Sequence, residues 1–260
     1  MSKVRDDYLA DSARALFAQH GLDRFATLWA LELDTVDTPN TGRGGWSSVS
    51  RLELADDNGA VQAFYLKRQI DHLSRSLRHP LGEATFAREF RNIRRYQHDD
   101  VPALEAVFFG QRRIAGKVCA LLVTRALDDH KPLDRWLADW PALPRATRRA
   151  IIDAVAGLAR TLHGAGHLHN CLYPKHVFVR VDGPRASARL IDLEKTRPLF
   201  LGARDRARDL DALNRHTKGP AATERLRFLL RYLGRDALDD AATRLARSVL
   251  QRRHRKAARR

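Results

Sequence analysis

The spacing of apolar residues differs between the two halves of this chain. In the first half, apolar residues alternate with polar ones or form apolar runs of strand length, as in β-strands. The five predicted strands are residues 27–36, 47–54, 61–66, 104–109 and 118–123. One helix with a single apolar face, residues 83–97, is predicted between the third and the fourth strand. The first half therefore predicts a small sheet accompanied by one helix.

The second half has helical spacing almost throughout. The predicted helices are residues 133–140, 145–165, 204–215, 222–232 and 236–253. Two short predicted strands, residues 176–181 and 188–193, flank the turn sequence Asp182-Gly183-Pro184. Strands and helices do not alternate regularly along the chain, which excludes a doubly wound parallel sheet. We expect an α+β fold with a small antiparallel β lobe and a mainly helical lobe.

A polar segment, residues 124–131, follows the last strand of the first half and sets the predicted boundary between the lobes. It gives an N-lobe of residues 1–125, a helical C-lobe of residues 126–250 and a basic tail of residues 251–260. A chain of 260 residues is long enough for two lobes that each bury a core.

The balance of charges indicates the kind of partner. Lys and Arg number 47 against 31 Asp and Glu, for a formal net charge of +16. This excess indicates nucleic acid, an anionic membrane surface or a polyanionic substrate, or else a solvated surface rich in arginine. The basic tail could contact anionic lipid headgroups, or simply end a helix whose cations suit its negative end.

Composition also limits where the protein works. No apolar run reaches the roughly 18 residues of a membrane span, and residues 1–10 lack the apolar core of a secretory signal. Two cysteines are too few for a disulfide framework. We therefore expect a cytoplasmic protein, with peripheral contact to the membrane through the tail.

Three features of the first half are suited to phosphate. A glycine-rich turn, residues 41–49, contains Gly44 and Gly45, whose backbone could approach a phosphate closely. Lys67 ends an apolar strand, and Glu89 lies near the apolar face of the following helix. A carboxylate facing a buried lysine would hold that lysine in place. Taken singly, each also fits a common hairpin glycine or a surface charge.

Two features of the second half are suited to metal and proton chemistry. Asp192 follows an apolar strand, and a carboxylate there suits Mg²⁺, which binds through one or two carboxylates and substrate phosphates. A loop at residues 167–176 leads into the same hairpin and is rich in histidine.

In this order the features resemble those of a protein-kinase-like phosphotransferase. The chain resembles the lipopolysaccharide core kinases of Gram-negative bacteria, the Kdo/WaaP group, and within it the InaA-like branch. The resemblance covers residues 41–215. It is carried by Arg43-Gly44-Gly45-Trp46-Ser47, Lys67, Phe86-Ala87-Arg88-Glu89-Phe90, His163-Gly164-Ala165-Gly166, His169, Tyr173, His176 and Ile191-Asp192-Leu193.

The resemblance implies a role for each matching residue. ATP phosphates would be covered by Gly44, Gly45 and Ser47. Lys67 would bind the α- and β-phosphates and pair with Glu89, and the segment from Thr124 to Ala126 would contact the adenine. Asp192 would hold Mg²⁺ with His176, which occupies the position of a metal-binding asparagine in protein kinases. Asp209 would brace the catalytic loop. The implied acceptor is a hydroxyl of an inner-core sugar of lipopolysaccharide, heptose or Kdo.

One position departs from the kinase pattern. Cys171 stands two residues after His169, where protein kinases place the aspartate that accepts the proton of the substrate. A slower kinase could pass this proton to His169, His176 or Glu194, since positioning and charge supply most of the catalysis in phosphoryl transfer. Alternatively, the chain is a nucleotide-binding pseudokinase that acts as a scaffold or regulator.

Two further readings of the sequence stay open. Cys171 could be a thiol nucleophile or a plain packing residue. The net charge also permits a nucleic-acid-binding protein, although the sequence lacks a helix-turn-helix signature, zinc-finger spacing and the aromatic strands of RNA-binding domains.

Overall fold

The structure, a computed structural model, describes residues 7–36, 38–41, 44–76 and 79–257. Contacts along the chain divide it into two compact units. The first unit is Met1–Arg95 with Leu104–Ala126, and the second is Tyr96–Ala103 with Leu127–Arg260. The division into lobes of residues 1–125 and 126–250 with a tail of 251–260 stays a prediction; the compact units differ from it at residues 96–103 and at Ala126, and they do not separate the tail.

The first unit contains a five-stranded antiparallel sheet. Its elements are β1 (Tyr8–Leu9), α1 (Asp11–Gln19), α2 (Phe25–Ala30), β2 (Trp46–Ala55), β3 (Val61–Ile70), β4 (Leu73–Ser76), β5 (His79–Ala84), α3 (Thr85–His98), β6 (Ala106–Ile114) and β7 (Lys117–Arg125). The strand order in the sheet is β1-β6-β7-β3-β2. The short strands β4 and β5 form a separate hairpin.

The two faces of strand β3 have different roles. Phe64 and Leu66 are fully buried in one core with Phe17 of α1 and Leu28 of α2. Because side chains alternate along a strand, Lys67 lies on the opposite face. Helix α3 supplies the partner of Lys67 there, so the sheet separates the apolar core from the candidate phosphate-binding lysine.

The second unit is mainly helical. Its elements are β8 (Lys131–Pro132), α4 (Leu133–Ala138), α5 (Arg145–Gly164), β9 (His167–Leu168), β10 (Val177–Asp182), β11 (Arg185–Leu190), β12 (Arg197–Pro198), α6 (Ala203–His216), α7 (Ala222–Leu233) and α8 (Asp240–Ala257). Strands pair in the order β11-β10-β8, and β12 pairs with β9. The apolar stripe of α5 predicted from the sequence is buried from Ile151 to Leu162.

One predicted strand is wrong in its first part. Residues 27–36 contain the end of helix α2, followed by an extended segment that makes one bridge, between Thr35 and Ser50. Phe25 and Leu28, three residues apart, bury the same helix face, and this spacing decided the conformation. Helix α1 and the hairpin β4–β5 were not predicted from the sequence.

The second unit also contains a partly open apolar pocket of about 360 Å³. Side chains of α4 to α8 line it, among them Leu133, Ile151, Leu210, Phe228 and Val249. Among the described residues, no helix combines the length and apolar content needed to cross a membrane.

Candidate active site

The clearest polar pair in the first unit joins β3 to α3. Lys67 Nζ lies 2.7 Å from Glu89 Oε1, and the side chains are only 19% and 5% exposed. Either charge alone would be costly to bury away from water, so each of the two side chains depends on the other as its partner. The predicted pairing of Lys67 with Glu89 is therefore present as a defined contact.

Gln69, which the sequence argument missed, positions the helix that carries Glu89. The Gln69 side-chain oxygen accepts hydrogen bonds from Thr85 Oγ1 at 2.9 Å and from the Phe86 N–H at 2.8 Å. Its amide nitrogen donates to the His72 carbonyl at 2.7 Å. Gln69 is completely buried and lies two residues after Lys67, so both side chains leave the same face of β3. The sequence signal for Gln69 was a polar residue two positions after Lys67, on the same face of the strand.

The glycine-rich turn has one position that only glycine can occupy. A Cβ atom on Gly45 would lie 2.4 Å from both the Asp71 carbonyl carbon and the His72 nitrogen. Gly44 has a φ of +73°, in the left-handed region. Within the predicted turn, Gly42 and Arg43 lie outside the described residues.

Backbone hydrogen bonds within the first unit limit what the other predicted nucleotide-binding residues can offer. These residues are Ser47, Thr124 and Ala126. Ser47 donates its N–H to the Asn40 carbonyl at 2.9 Å, which leaves its hydroxyl as the donor toward a phosphate. Thr124 is buried in β7, and Ala126 donates its N–H to the Ala63 carbonyl at 2.9 Å. Contact of residues 124–126 with adenine stays a prediction. The Ala126 N–H is not available for that contact while it is bonded to the Ala63 carbonyl.

In the second unit, Asp209 of α6 holds the loop that contains His169. The Asp209 carboxylate is fully buried and accepts the His169 N–H at 2.7 Å and the Asn170 N–H at 2.9 Å. Asn170 has a φ of +68°, a backbone conformation that this bracing sustains. The predicted brace by Asp209 is confirmed.

Two further residues extend this brace, and the sequence argument missed the role of both. His163, at the end of α5, has Nε2 3.3 Å from Asp209 Oδ2 and Nδ1 2.8 Å from the hydroxyl of Tyr232 on α7. Since the carboxylate only accepts, Nε2 carries the proton and Nδ1 accepts from Tyr232. Burial raises the pKa of Tyr232 to about 12, so its hydroxyl stays a donor.

His169 is buried completely and links the loop to the residue before Asp192. Its Nε2 donates to the Ile191 carbonyl at 3.0 Å. Burial lowers the pKa of His169, which keeps the ring neutral at neutral pH. This geometry supports a positioning role for His169, since a ring sealed from solvent cannot take a proton from an outside substrate.

His176 and Asp192 face each other at 3.3 Å, measured from Nε2 to Oδ2. His176 Nδ1 lies 2.9 Å from the Cys171 carbonyl, which only accepts, so this nitrogen carries the proton. When the ring is neutral, Nε2 therefore carries a lone pair, and this lone pair faces a carboxylate oxygen of Asp192. Two acceptors this close require a proton or a cation between them. Asp192 also holds a left-handed backbone with φ of +58°, a strain found at functional positions.

Cys171 is buried and lies in the same loop. Burial raises the pKa of its thiol, with the nearby Asp192 and Asp209 acting in the same direction. The side chain is therefore a neutral thiol at neutral pH, which is neither a strong base nor an activated nucleophile.

The donor set fits Mg²⁺ only together with phosphate oxygens. Among the described residues, no group of three or more His, Cys, Asp or Glu side chains could hold a metal. Mg²⁺ commonly takes one or two carboxylates and completes its shell with water and substrate phosphates. Asp192 Oδ2, together with the Nε2 lone pair of His176 that faces it, meets that requirement.

Comparison with known proteins identifies the family. The model of the lipopolysaccharide kinase (Kdo/WaaP) family matches residues 26–232. The chain belongs to this family. Protein InaA of Escherichia coli is 34% identical over 177 residues, which cover 67% of this chain and 79% of InaA. Lipopolysaccharide core heptose(I) kinase WaaP of Pseudomonas aeruginosa is 30% identical over 171 residues, which cover 61% of this chain and 64% of that kinase.

A solved structure has the same fold along nearly the whole chain. It is described as WaaP in complex with acyl carrier protein, and it matches with a TM-score of 0.68 at 23% identity over 98% of this chain and 99% of that chain. The predicted α+β, kinase-like fold and the predicted resemblance to the Kdo/WaaP family are confirmed. The chain is thus a member of a family of kinases, which are phosphotransferases.

Proposed function

We propose that this chain transfers a phosphoryl group from ATP, with Mg²⁺, to a hydroxyl of an inner-core sugar of lipopolysaccharide, heptose or Kdo. The observation that carries the proposal is the His176–Asp192 pair at the end of a loop braced by Asp209. The name of the Pseudomonas aeruginosa relative supports lipopolysaccharide core as the acceptor.

In the first unit, the proposed work is phosphate binding. Gly44 and Gly45 let the backbone approach the phosphates, and the hydroxyl of Ser47 adds a donor. Lys67, fixed by Glu89, presents a charge-assisted donor to the α- and β-phosphates. Thr124 to Ala126 would line the adenine.

In the second unit, the proposed work is metal holding and acceptor positioning. Asp192 Oδ2 and His176 Nε2 would ligate Mg²⁺, which would neutralise charge on the transferred phosphoryl group. His169 fixes the Ile191 carbonyl and hence the backbone that presents Asp192. Phosphoryl transfer has a loose transition state, so the neutral thiol of Cys171 lowers the rate and does not abolish the reaction. Glu194 stays as the acceptor of the hydroxyl proton, because a His176 ring that ligates Mg²⁺ through Nε2 and carries its proton on Nδ1 has no lone pair left.

The test is an assay of labelled ATP with deacylated core oligosaccharide. We expect transfer by the natural chain and at least a hundredfold loss in Asp192→Asn, from the lost metal ligand. Asp182→Asn is the matched control, since Asp182 is an exposed carboxylate on the same hairpin. Nucleotide binding without any transfer by the natural chain would support the pseudokinase alternative instead.

The glycolipid acceptor also implies a place of action. We propose that the chain works at the cytoplasmic face of the inner membrane, where an inner-core sugar on its lipid anchor would be presented. Its excess of cations supports this location, because phosphorylated glycolipid and anionic leaflet attract positive charge.

The apolar pocket favours a second ligand, and we propose that it holds one acyl chain. Its lining is mainly aliphatic and aromatic, with Asn214, Thr217, Glu224 and Arg225 as its polar members, as in sites for apolar ligands. The related WaaP structure contains acyl carrier protein, which supports an acyl chain as the occupant. Decanoic acid should raise the melting temperature of the natural chain, and Ala246→Phe, which fills the pocket, should remove the shift. Arg247→Phe, an exposed neighbour on α8, is the control; an equal shift in Ala246→Phe would contradict the proposal.

A further inference from the structure

An exposed apolar turn lies between β12 and α6. Four successive apolar residues, Pro198-Leu199-Phe200-Leu201, form it, and the side chains of Phe200 and Leu201 are 73% and 55% exposed. Runs of this kind are unfavourable on a surface unless they contact something. We call this segment the apolar turn.

The apolar turn is held firmly in this exposed position. Asp205, almost fully buried, accepts the N–H of Phe200 at 3.0 Å and of Leu201 at 3.1 Å. Arg197 binds the same carboxylate through two nitrogens, at 2.7 and 2.9 Å. Leu199 donates its N–H to the Gly166 carbonyl at 2.8 Å. A buried charge pair and three backbone bonds therefore fix the exposure of Phe200 and Leu201.

Exposed cations flank the apolar turn in the sequence, and the segment 195–209 contains no exposed acid. The exposed cations there are Lys195, Arg204, Arg206 and Arg208. Both acids of the segment, Asp205 and Asp209, are buried and engaged within the unit. The three arginines lie in the first turns of α6, where cations do not stabilise a helix, so helix stability does not explain them.

We propose that the apolar turn inserts into the interfacial layer of an anionic membrane, with the cations that flank it in the sequence at the level of the lipid phosphates. Aromatic and aliphatic side chains beside Lys and Arg are the composition of segments that bind at the headgroup boundary. The apolar side chains here lie on an exposed turn rather than in a groove, which favours a lipid surface over a folded protein partner. The contact needs no phosphoryl transfer and stands independently of the proposed reaction.

The position of the apolar turn connects the proposed membrane contact with the candidate active site. Pro198 pairs with His167, which precedes the loop of His169 by two residues. A membrane that takes up Phe200 and Leu201 would therefore lie near the loop that holds Cys171 and His176. The chain would meet a membrane-anchored acceptor with this loop toward the lipid surface.

The test is co-sedimentation with vesicles of equal parts phosphatidylcholine and phosphatidylglycerol, and with phosphatidylcholine alone. The double variant Phe200→Ser, Leu201→Ser should bind the anionic vesicles about tenfold more weakly, because two apolar side chains are lost from the contact. Arg204→Gln with Arg208→Gln should weaken binding to the anionic vesicles and make it less sensitive to salt. The control is Val61→Ser, which removes a 62% exposed apolar side chain that lies near Asp56 and Asp57.

Two results would overturn the inference. One is unchanged vesicle binding by the Phe200, Leu201 double variant when its melting temperature matches that of the natural chain. The other is loss of binding to acyl carrier protein, an acidic partner, in that variant with vesicle binding intact, which would make the apolar turn a protein contact. Transfer to deacylated, soluble oligosaccharide should be unchanged in the double variant, so failure of the membrane proposal and failure of the kinase proposal give different results.

Discussion

Cys171 is the residue on which the catalytic rate depends most directly. Its burial among Asp192 and Asp209 raises the pKa of the thiol, and the same surroundings would raise the pKa of a carboxyl placed there. A carboxylate with a raised pKa is a better proton acceptor at neutral pH. We therefore predict that Cys171→Asp increases kcat for transfer to core oligosaccharide by about a hundredfold, within the range of a general base.

Two variants separate a base from a change in packing. Cys171→Ser keeps a small neutral group and should leave kcat within a few-fold of the natural chain. Cys119→Ser alters the other buried cysteine, in β7, and should also leave kcat unchanged. If Cys171→Asp folds, binds ATP and is no faster, then proton removal does not limit the rate of this chain.

Asp205 is the residue whose charge contributes most clearly to stability in an identifiable range of pH. Hydrogen bonds from Arg197 hold the pKa of Asp205 well below its ordinary value of 3.8. Its stabilisation is therefore complete above about pH 4 and is lost as the pH falls further, because the unfolded chain then binds the proton first. We predict that Asp205→Asn lowers the free energy of unfolding at pH 7 by about 3–5 kcal/mol, the usual effect of breaking a buried ion pair.

Urea unfolding at pH 7 and at pH 3 measures this effect. The difference between Asp205→Asn and the natural chain should be smaller at pH 3. Asp11→Asn is the matched control, because Asp11 forms an exposed ion pair with Arg14 at 2.9 Å, and such pairs contribute less than about 1 kcal/mol. A difference independent of pH would show that the charge of Asp205 is not what stabilises the apolar turn.

Helices α5, α6 and α7 act together on the loop of His169. The chain of contacts runs from Tyr232 to His163, from His163 to Asp209, and from Asp209 to two backbone N–H groups. Tyr232→Phe leaves the buried Nδ1 of His163 without a donor, which costs about 1–3 kcal/mol. We predict faster amide exchange at His169 and Asn170 and a lower kcat, with an unchanged KM for ATP.

Tyr8→Phe is the control for that prediction, since the Tyr8 hydroxyl binds Arg94 in the first unit. It should leave amide exchange at His169 and Asn170 unchanged. His163→Gln should reproduce the effect of Tyr232→Phe and exceed it, because it removes the link to Asp209 as well. If amide exchange at His169 and Asn170 is equal in Tyr232→Phe and the natural chain, the Tyr232 hydroxyl does not support the loop and the residue contributes only packing.

Sequence patterns predicted the elements whose burial follows a simple period. Strand β2 alternates along most of its length, β3 contains the apolar run Ala63–Leu66, and α5 carries an apolar stripe along 20 residues, so each was located to within a few residues. Helix α2 was missed because six residues are too short for a helical period to be told from alternation.

The candidate site was predictable only where residues match a kinase-like order. Lys67, Glu89, Asp192 and Asp209 were placed through their position in that order. Gln69 and Tyr232 were not, since each acts across elements that are distant in sequence, on the start of α3 and on His163. Their roles depend on tertiary contacts that no local pattern contains.

The cations that give the whole chain its net positive charge have several different roles. Lys67 is fixed by its buried pair with Glu89 for the proposed contact with phosphate, and Arg197 is bound to Asp205 within the fold. Others are exposed and flank the apolar turn in the sequence. Six more lie in residues 251–260, of which α8 includes those up to Ala257, whereas Arg259 and Arg260 lie outside the described residues. The cations behind the net charge of +16 are therefore divided between folding, the proposed phosphate contact, the proposed membrane contact and the tail.

Removal of the tail tests its share of this charge. Truncation after Leu250 removes six cations and no acid, and it retains Val249, which is buried in the core of the second unit. We predict weaker binding to anionic vesicles with a shallower dependence on salt, and an unchanged affinity for ATP. Double-stranded DNA in place of vesicles, at matched salt, tests general polyanion binding.

Because the tail contributes only charge whereas the apolar turn contributes insertion, the two should differ in their response to salt. At high salt, the truncated chain and the natural chain should bind vesicles equally, since screening removes the contribution of exposed cations. The Phe200, Leu201 double variant should stay weaker at the same salt, since the burial of apolar side chains is not screened. If truncation leaves vesicle binding unchanged at low salt as well, the tail is solvated surface and the apolar turn with its own cations accounts for the membrane contact.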